Sequence, residues 1–303
     1  MKSVELFAGA GGLALGVSLA GFTSGAVIEW DKWACDTIRE NQQRQNPLVA
    51  DWPLHEQDVR LFDFSTIKGI DLLAGGPPCP PSLGGKHKAY SDKRDMFPTT
   101  IDTVRRLQPR AFLVENVKGL TRASFANYLQ YTILQLSYPE LTRSPKESWV
   151  EHLARLEKEK TSGRKQGLTY DVVWRVVNAA DYGIPQRRER VFIVGFRHDL
   201  GVRWSFPETT HSMEGLLYSQ WISGEYWDHH KVSFKARGPL NDKHKTRIEK
   251  LRGMDASTLG RPWLTVRDAL QGLPDPQNKK ATALCDNHIF QAGARVYAGH
   301  TGS

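Results

Sequence analysis

The sequence predicts an α/β fold in layers, built on a mostly parallel sheet, and three observations predict it. Short apolar runs of strand length alternate with helical patterns through the first 200 residues. The first run passes straight into a glycine turn and then a helix. Two further runs end in acids, Glu29 and Glu115, as strands do at the ligand-bearing edge of such sheets. Residues 1–200 are therefore read as one domain, and 201–303 as the incomplete start of a smaller, irregular region.

From Val4 the chain reads Val-Glu-Leu-Phe-Ala, a strand, followed by Gly9, Gly11 and Gly12. Apolar positions at Leu13, Leu15, Val17 and Leu19 then continue as a helix to Gly21. Residues 25–28 form a second strand closed by Glu29, with a helix over about 32–43, and a third strand region ends at Asp58. Apolar runs at 70–74, 111–115, 170–177 and 190–196 supply the remaining strands. The mixed-sign stretch 146–167, with neighbours at i,i+4, reads as a solvent-facing helix inserted between strands. Beyond about residue 200 long periodicity disappears, and Trp204, Trp221, Trp227, Trp263, Tyr218, Tyr226 and Tyr297 interleave with basic residues. Such a pattern fits either a nucleic-acid surface or a small aromatic core.

Composition narrows the function. With 303 residues there is chain for about two domains. A net charge of +8 and a pI near 9.3 suit a polyanionic partner or a solvated basic face. No apolar run approaches the ~20 residues that span a bilayer, and Met1-Lys2-Ser3 begins no signal peptide, so a cytoplasmic protein is expected. Cys35, Cys79 and Cys285 form no Cys-x-x-Cys pair, and the histidines match no four-ligand spacing, so neither a disulfide framework nor a metal is expected.

The glycine turn lets a ligand approach the backbone between a strand and a helix N-terminus, which suits an adenosine-type cofactor. Its Gly-x-Gly-Gly spacing is not that of a dinucleotide site. Glu29 stands where two carboxylate oxygens accept from a ribose diol, and Asp58 where an adenine amino group would donate. The stretch from Asp71 to Lys86 is the most informative, because four prolines hold Cys79 in one pose at the end of an apolar strand, as a nucleophilic thiol requires. Glu115, ending its own strand beside Asn116, would be buried, with a raised pKa that suits a proton donor. Alternation before the strand at 190 sends Gln186, Arg188 and Arg190 to one face, where two guanidiniums suit a carbonyl oxygen or a phosphate.

Taken in order, Phe7 to Gly12, Glu29-Trp30, Asp58, Pro77 to Cys79, Asp92-x-Arg94, Glu115-Asn116-Val117 and Gln186-x-Arg188-x-Arg190 make the chain similar to DNA (cytosine-5) methyltransferases of bacterial restriction-modification systems. The resemblance runs from Val4 to about Arg197. It implies a Rossmann-like, S-adenosylmethionine-dependent methyltransferase domain acting on carbon 5 of a cytosine flipped out of double-stranded DNA. By the same resemblance Cys79 adds to the base, Glu115 acts at N3, Asn116 orients the site, and Arg188 and Arg190 stabilise charge on O2. Phe7, Ala8, Gly9, Gly11, Gly12, Leu13, Glu29, Trp30, Asp58, Val59 and Pro77 would hold the cofactor. Ser82, Lys86, Arg94 and Gln186 would meet DNA.

Two departures from the family pattern are visible. The family loop Cys-Gln-Pro-Phe-Ser is here Cys79-Pro80-Pro81-Ser82-Leu83-Gly84. The segment 264–275 and the glycine-rich stretch 293–303 resemble what precedes the family's recognition region, whereas its later motif and Gly-Asn-rich helix are not found by Ser303. The expectation is the larger subunit of a split enzyme, associated with the nucleoid, whose second polypeptide carries the rest. A truncated chain, a non-catalytic cofactor-binding subunit and a tRNA cytosine-5 methyltransferase are the alternatives.

Overall fold

The computed structural model describes residues 1–78, 94–163, 167–240, 242–277 and 288–290. Cys79, Ser82, Lys86 and Tyr297 lie outside the described residues. The chain divides into two compact units, one of Met1–Val177 with Glu189–Phe206, the other of Asn178–Arg188 with Pro207–Ser303.

The first unit is built on a sheet ordered β3-β2-β1-β4-β5-β7-β6. Its strands are β1 (Lys2–Leu6), β2 (Thr23–Glu29), β3 (Leu54–Glu56), β4 (Leu72–Gly75), β5 (Ala111–Val117), β6 (Tyr170–Asn178) and β7 (Glu189–Arg197). The pairs β1·β2, β1·β4, β2·β3 and β4·β5 are parallel, and β5·β7 is antiparallel. Because β2 lies on one side of β1 and β4 on the other, the strand order reverses at β1. A crevice therefore opens where the loops after β1 and β4 diverge, and these loops carry the glycine turn and the prolines.

Alternation along β1 sends Val4 and Leu6 into a core with Ala26, Ile28, Leu73, Phe112, Val114 and Ile193. On the other face Val27 packs with Ala14, Ile38 and Trp52, beneath the helices α1 (Gly12–Leu19) and α2 (Lys32–Gln43). The predicted start and end of α2 match the structure, for two local reasons: the Asp31 side chain accepts from Ala34 N at 2.8 Å, and Cys35 and Ile38 turn to the core. The first strand ends at Leu6, because Phe7 turns into the left-handed region (φ 53°).

The helices α3 (Phe97–Leu107), α4 (Ala126–Ser137) and α5 (Trp149–Ser162) complete the unit. A capping box between Ser148 and Glu151 starts α5. This helix is not wholly solvent-facing as predicted, since Leu156 and His152 are buried and Leu156 packs with Tyr131 and Leu134 of α4. Charge alternation along the sequence describes its outer face only.

The second unit contains β8 (His211–Ser212), α6 (Met213–Trp221), α7 (Glu225–His229), α8 (Asp242–Leu251), β9 (Arg261–Pro262) and α9 (Val266–Leu270). Leu217, Ile248, Leu251 and Leu259 form one core cluster; Leu216, Tyr226 and Trp227 form another, with Trp221 and Trp263 against it. Of the two readings of the aromatic pattern, the core is what these residues build. Trp204 instead lies in the first unit, edge-on to Phe206.

Candidate active site

The turn after β1 holds three residues at positive φ, Phe7 (53°), Gly9 (55°) and Gly11 (91°). At Gly11 a Cβ would lie 2.6 Å from the Trp52 ring, so the helix start packs against the indole only because the side chain is absent. At Gly9 a Cβ would meet nothing within 4 Å among the described residues, which leaves the backbone open to a ligand.

Glu29, 7% exposed, ties this turn to the end of β2. Its Oε2 accepts from Gly9 N at 2.7 Å, and its Oε1 accepts from Trp30 N and Asp31 N at 2.8 Å each. Three N–H donors fix the carboxylate as an acceptor, and its remaining lone pairs can take hydroxyl donors. Trp30 is exposed beside it and offers an aromatic face. Phe7 and Leu13 are half-buried, and Ala8 packs in the core with Val27.

Asp58 follows β3. Its carboxylate is taken up by Arg60 through the backbone N–H and the guanidinium, and that hydrogen bonding holds its pKa below the ordinary carboxylate value. An amino donor would therefore share Asp58 with Arg60. Val59 is buried among Phe62 and Phe64, so only its backbone is available to a cofactor.

At the next strand ends, Asn116 is 3% exposed; its Nδ2 donates to Pro77 O at 2.9 Å while its Oδ1 accepts from Val117 N at 2.8 Å. The turn that leads into the Cys79 loop is thus anchored to β5. A Cβ on Gly76 would lie 3.6 Å from Glu115 Oε2, which places that carboxylate against the same turn. Glu115 is less buried than the sequence predicts, with its side chain 25% exposed, and its Oε1 lies 3.0 Å from Arg190 Nε. The two residues come together because Val117 pairs with Arg190 across the antiparallel β5·β7 ladder, which brings the start of β7 to the end of β5.

The predicted common face of Gln186, Arg188 and Arg190 is corrected. β7 begins at Glu189, and the residues before it form a turn in which Gln186 N donates to Ile184 O and Asn178 Oδ1 accepts from Arg188 N. Period-two alternation needs strand backbone, so it does not extend to Gln186 or Arg188, which belong to the second unit. Arg94 is exposed, just before α3. In the second unit a cavity of about 320 Å³ is lined by Arg187, His211, Glu214, His244, Arg247 and Trp263, among others.

Sequence reasoning did not single out Glu5. It is 2% exposed in mid-β1, and neither carboxylate oxygen has a hydrogen-bond partner among the described residues. Burial pushes its pKa up to about 8. The signal was present as an acid inside an apolar strand. Cys35, the one cysteine among the described residues, is no rival to Cys79 as nucleophile, since burial pushes its thiol up to about 11.

A sheet of this order, with a glycine turn after β1, an acid closing β2 and an antiparallel β7, defines a Rossmann-like, S-adenosylmethionine-dependent methyltransferase domain. The sequence profile for C-5 cytosine-specific DNA methylases matches residues 1–138 and 154–262, and the chain belongs to that family. It is 37% identical over 207 residues to the type II methyltransferase M.NgoMIV of Neisseria gonorrhoeae, covering 68% of this chain and 55% of that protein. It is 36% identical over 293 residues to M.AquIA of Picosynechococcus, covering 93% of each. With M.NaeI of Lentzea aerocolonigenes the identity is 31% over 236 residues, 75% of this chain and 49% of that protein. The chain thus spans about half the length of M.NgoMIV and M.NaeI and nearly all of M.AquIA.

The family's cofactor is S-adenosylmethionine, and the residues fit it. The open Gly9 backbone admits a nucleoside, Glu29 presents a fixed acceptor, and the orphaned Glu5 carboxyl lies two residues before the same turn.

Proposed function

We propose that this chain methylates carbon 5 of cytosine in double-stranded DNA. The observation that carries the reading is the convergence at one sheet edge of the Asn116-anchored turn before Cys79 with the Glu115–Arg190 pair. Cytosine C5 is a poor nucleophile until a thiolate adds at C6, after which the ring is an enamine that attacks an electrophilic methyl group. S-adenosylmethionine supplies that methyl as a sulfonium. As the Cys79 thiolate adds at C6, a proton carried by Glu115 passes to N3, and Arg190 neutralises charge at O2 while holding the carboxylate of Glu115 in place. Methyl transfer would release the thioether S-adenosylhomocysteine, after which water takes the C5 proton as the C6–S bond breaks and the thiolate of Cys79 leaves. Phe7, Glu29, Trp30 and the backbone of Gly9 hold the nucleoside of the cofactor, and Asp58 its adenine.

The target base must leave the duplex to reach such a pocket, at a cost of a few kcal/mol that groove and phosphate contacts offset. Residues 201–303 are the start of the DNA-recognition region in this reading, and Arg247, with Arg187 from the turn before β7, provides phosphate contacts. In this reading a second polypeptide supplies the remaining recognition surface, and the match to M.AquIA over 93% of each chain is consistent with a catalytic chain of this length. The expected location is the cytoplasm, in association with DNA. No helix among the described residues is long and apolar enough to cross a membrane.

The test is transfer of labelled methyl from S-adenosylmethionine to duplex DNA by the chain alone and with the product of the neighbouring reading frame, with Cys79→Ser as control. Transfer that needs the neighbour and is lost in Cys79→Ser supports both parts of the proposal. High turnover by the chain alone removes the second polypeptide. No transfer in either case, with cofactor still bound, favours a non-catalytic subunit.

A further inference from the structure

In the second unit the last turn of α7 faces the first turn of α9. His229 and His230 close α7, and Asp268 is the third residue of α9. One ligand atom from each of these three side chains lies within 4.8 Å of the others. His230 Nε2 is 3.1 Å from Asp268 Oδ1, and His229 Nε2 is 3.2 Å from Gln271 Oε1.

Tetrahedral coordination at metal–ligand distances of about 2.0–2.1 Å puts ligand atoms roughly 3.3 Å apart, so both short contacts have the length of a tetrahedron edge. The arrangement is also supported from behind. Asp268 Oδ2 is occupied by Thr265, whose backbone N donates at 2.6 Å and whose hydroxyl donates at 2.7 Å, leaving Oδ1 directed at His230. Tyr226 Oη lies 2.9 Å from the same Thr265 hydroxyl. A carboxylate held through its second oxygen is the support that metal-binding carboxylates have. His230, with 6% of its side chain exposed, is held edge-on to Tyr226.

We propose that His229, His230, Asp268 and Gln271 bind one divalent ion of the zinc class. Four protein ligands leave no open position, so the ion is structural and fastens α7 to α9 rather than activating water. The site is separate from the methyl-transfer chemistry and stands or falls independently of it. It was not legible in the sequence because Asp268 comes 38 residues after His230 and from another helix.

The experiment uses the tag-free full chain, stripped with a chelator and titrated with Co²⁺ or Zn²⁺ alone. The expected result is one equivalent of Co²⁺ with the intense visible bands of a tetrahedral site, displaced by one equivalent of Zn²⁺, and a higher melting temperature with metal. Gln271→Ala, at an exposed position where misfolding is not a concern, weakens binding at least tenfold, and Thr265→Val weakens it about 10–100-fold. His229→Ala with His230→Ala abolishes it while circular dichroism confirms the fold. Absence of saturable binding, or unchanged affinity in Gln271→Ala and in the double histidine variant, overturns the proposal.

Discussion

Asn116 Nδ2 donates to the carbonyl of Pro77 across 2.9 Å, joining the end of β5 to the turn that leaves β4. Asn116→Ala removes the donor from a buried carbonyl, a loss of about 1–3 kcal/mol. If the bond positions the Cys79 loop, methyl transfer falls about 100-fold while cofactor affinity changes little. Asn116→Asp, which places an acceptor against an acceptor, is at least as damaging. Thermal melts together with single-turnover methyl transfer separate the two effects.

Gly9 and Gly11 respond differently to alanine. Gly11→Ala drives a methyl into the Trp52 ring at a residue with φ 91°, and destabilises the fold by about 1–3 kcal/mol. Gly9→Ala meets open space and costs only about 1–2 kcal/mol of left-handed backbone, but it covers the crevice, so cofactor binding weakens more than stability. Calorimetric binding and melting measured on both variants check the contrast.

Glu29→Gln exchanges one carboxylate oxygen for an amide that meets N–H donors head-on, either at Gly9 or at Trp30 and Asp31. Cofactor affinity falls at least tenfold, a loss of about 1.4 kcal/mol or more, as charge-assisted bonds of this kind are worth. Equilibrium binding of the cofactor measures it.

Glu5 makes stability depend on pH. Burial lifts its pKa from 4.5 to about 8, so between those values the unfolded chain releases a proton that the folded chain keeps. Stability therefore declines as pH rises through that window, by up to about 1.4 kcal/mol per unit, and levels off above pH 8. Glu5→Met removes this slope. Denaturation of both proteins at pH 5, 6.5 and 8 shows it, and parallel curves would refute it.

His152 acts in the opposite direction. Its Nε2 donates to Leu141 O at 2.6 Å, so Nδ1 is the acceptor for the Tyr131 hydroxyl at 2.7 Å, and burial lowers its pKa below 6.5. A neutral ring is what the fold accommodates. Its contribution is complete above pH 6.5 and is lost as pH falls through the lowered value. In His152→Gln the acid limb of the stability profile flattens, at an overall loss of about 1–3 kcal/mol.

Local chemistry made much of this protein readable from its sequence. The ends of α2 follow from an Asp cap and two apolar positions, and the turn after β1 from Gly9 and Gly11, which take positive φ at little cost. Glu29 could be placed at the end of β2, and Glu115 near the end of β5, which runs two residues further than predicted, because an acid after an apolar run has few other places to go. The short helices α7 and α9 could not be read, since five residues carry too little periodicity.

The sequence by itself determined the order of strands and helices, the cofactor turn and the family, because these rest on contiguous residues. Only the tertiary structure decided that Arg190 pairs with Glu115, that Asn116 holds Pro77, that Glu5 is buried with no partner among the described residues, and that His230 meets Asp268. Each depends on which strands or helices become neighbours. Contacts across many residues of chain are fixed by sheet register and core packing, and no local pattern carries them.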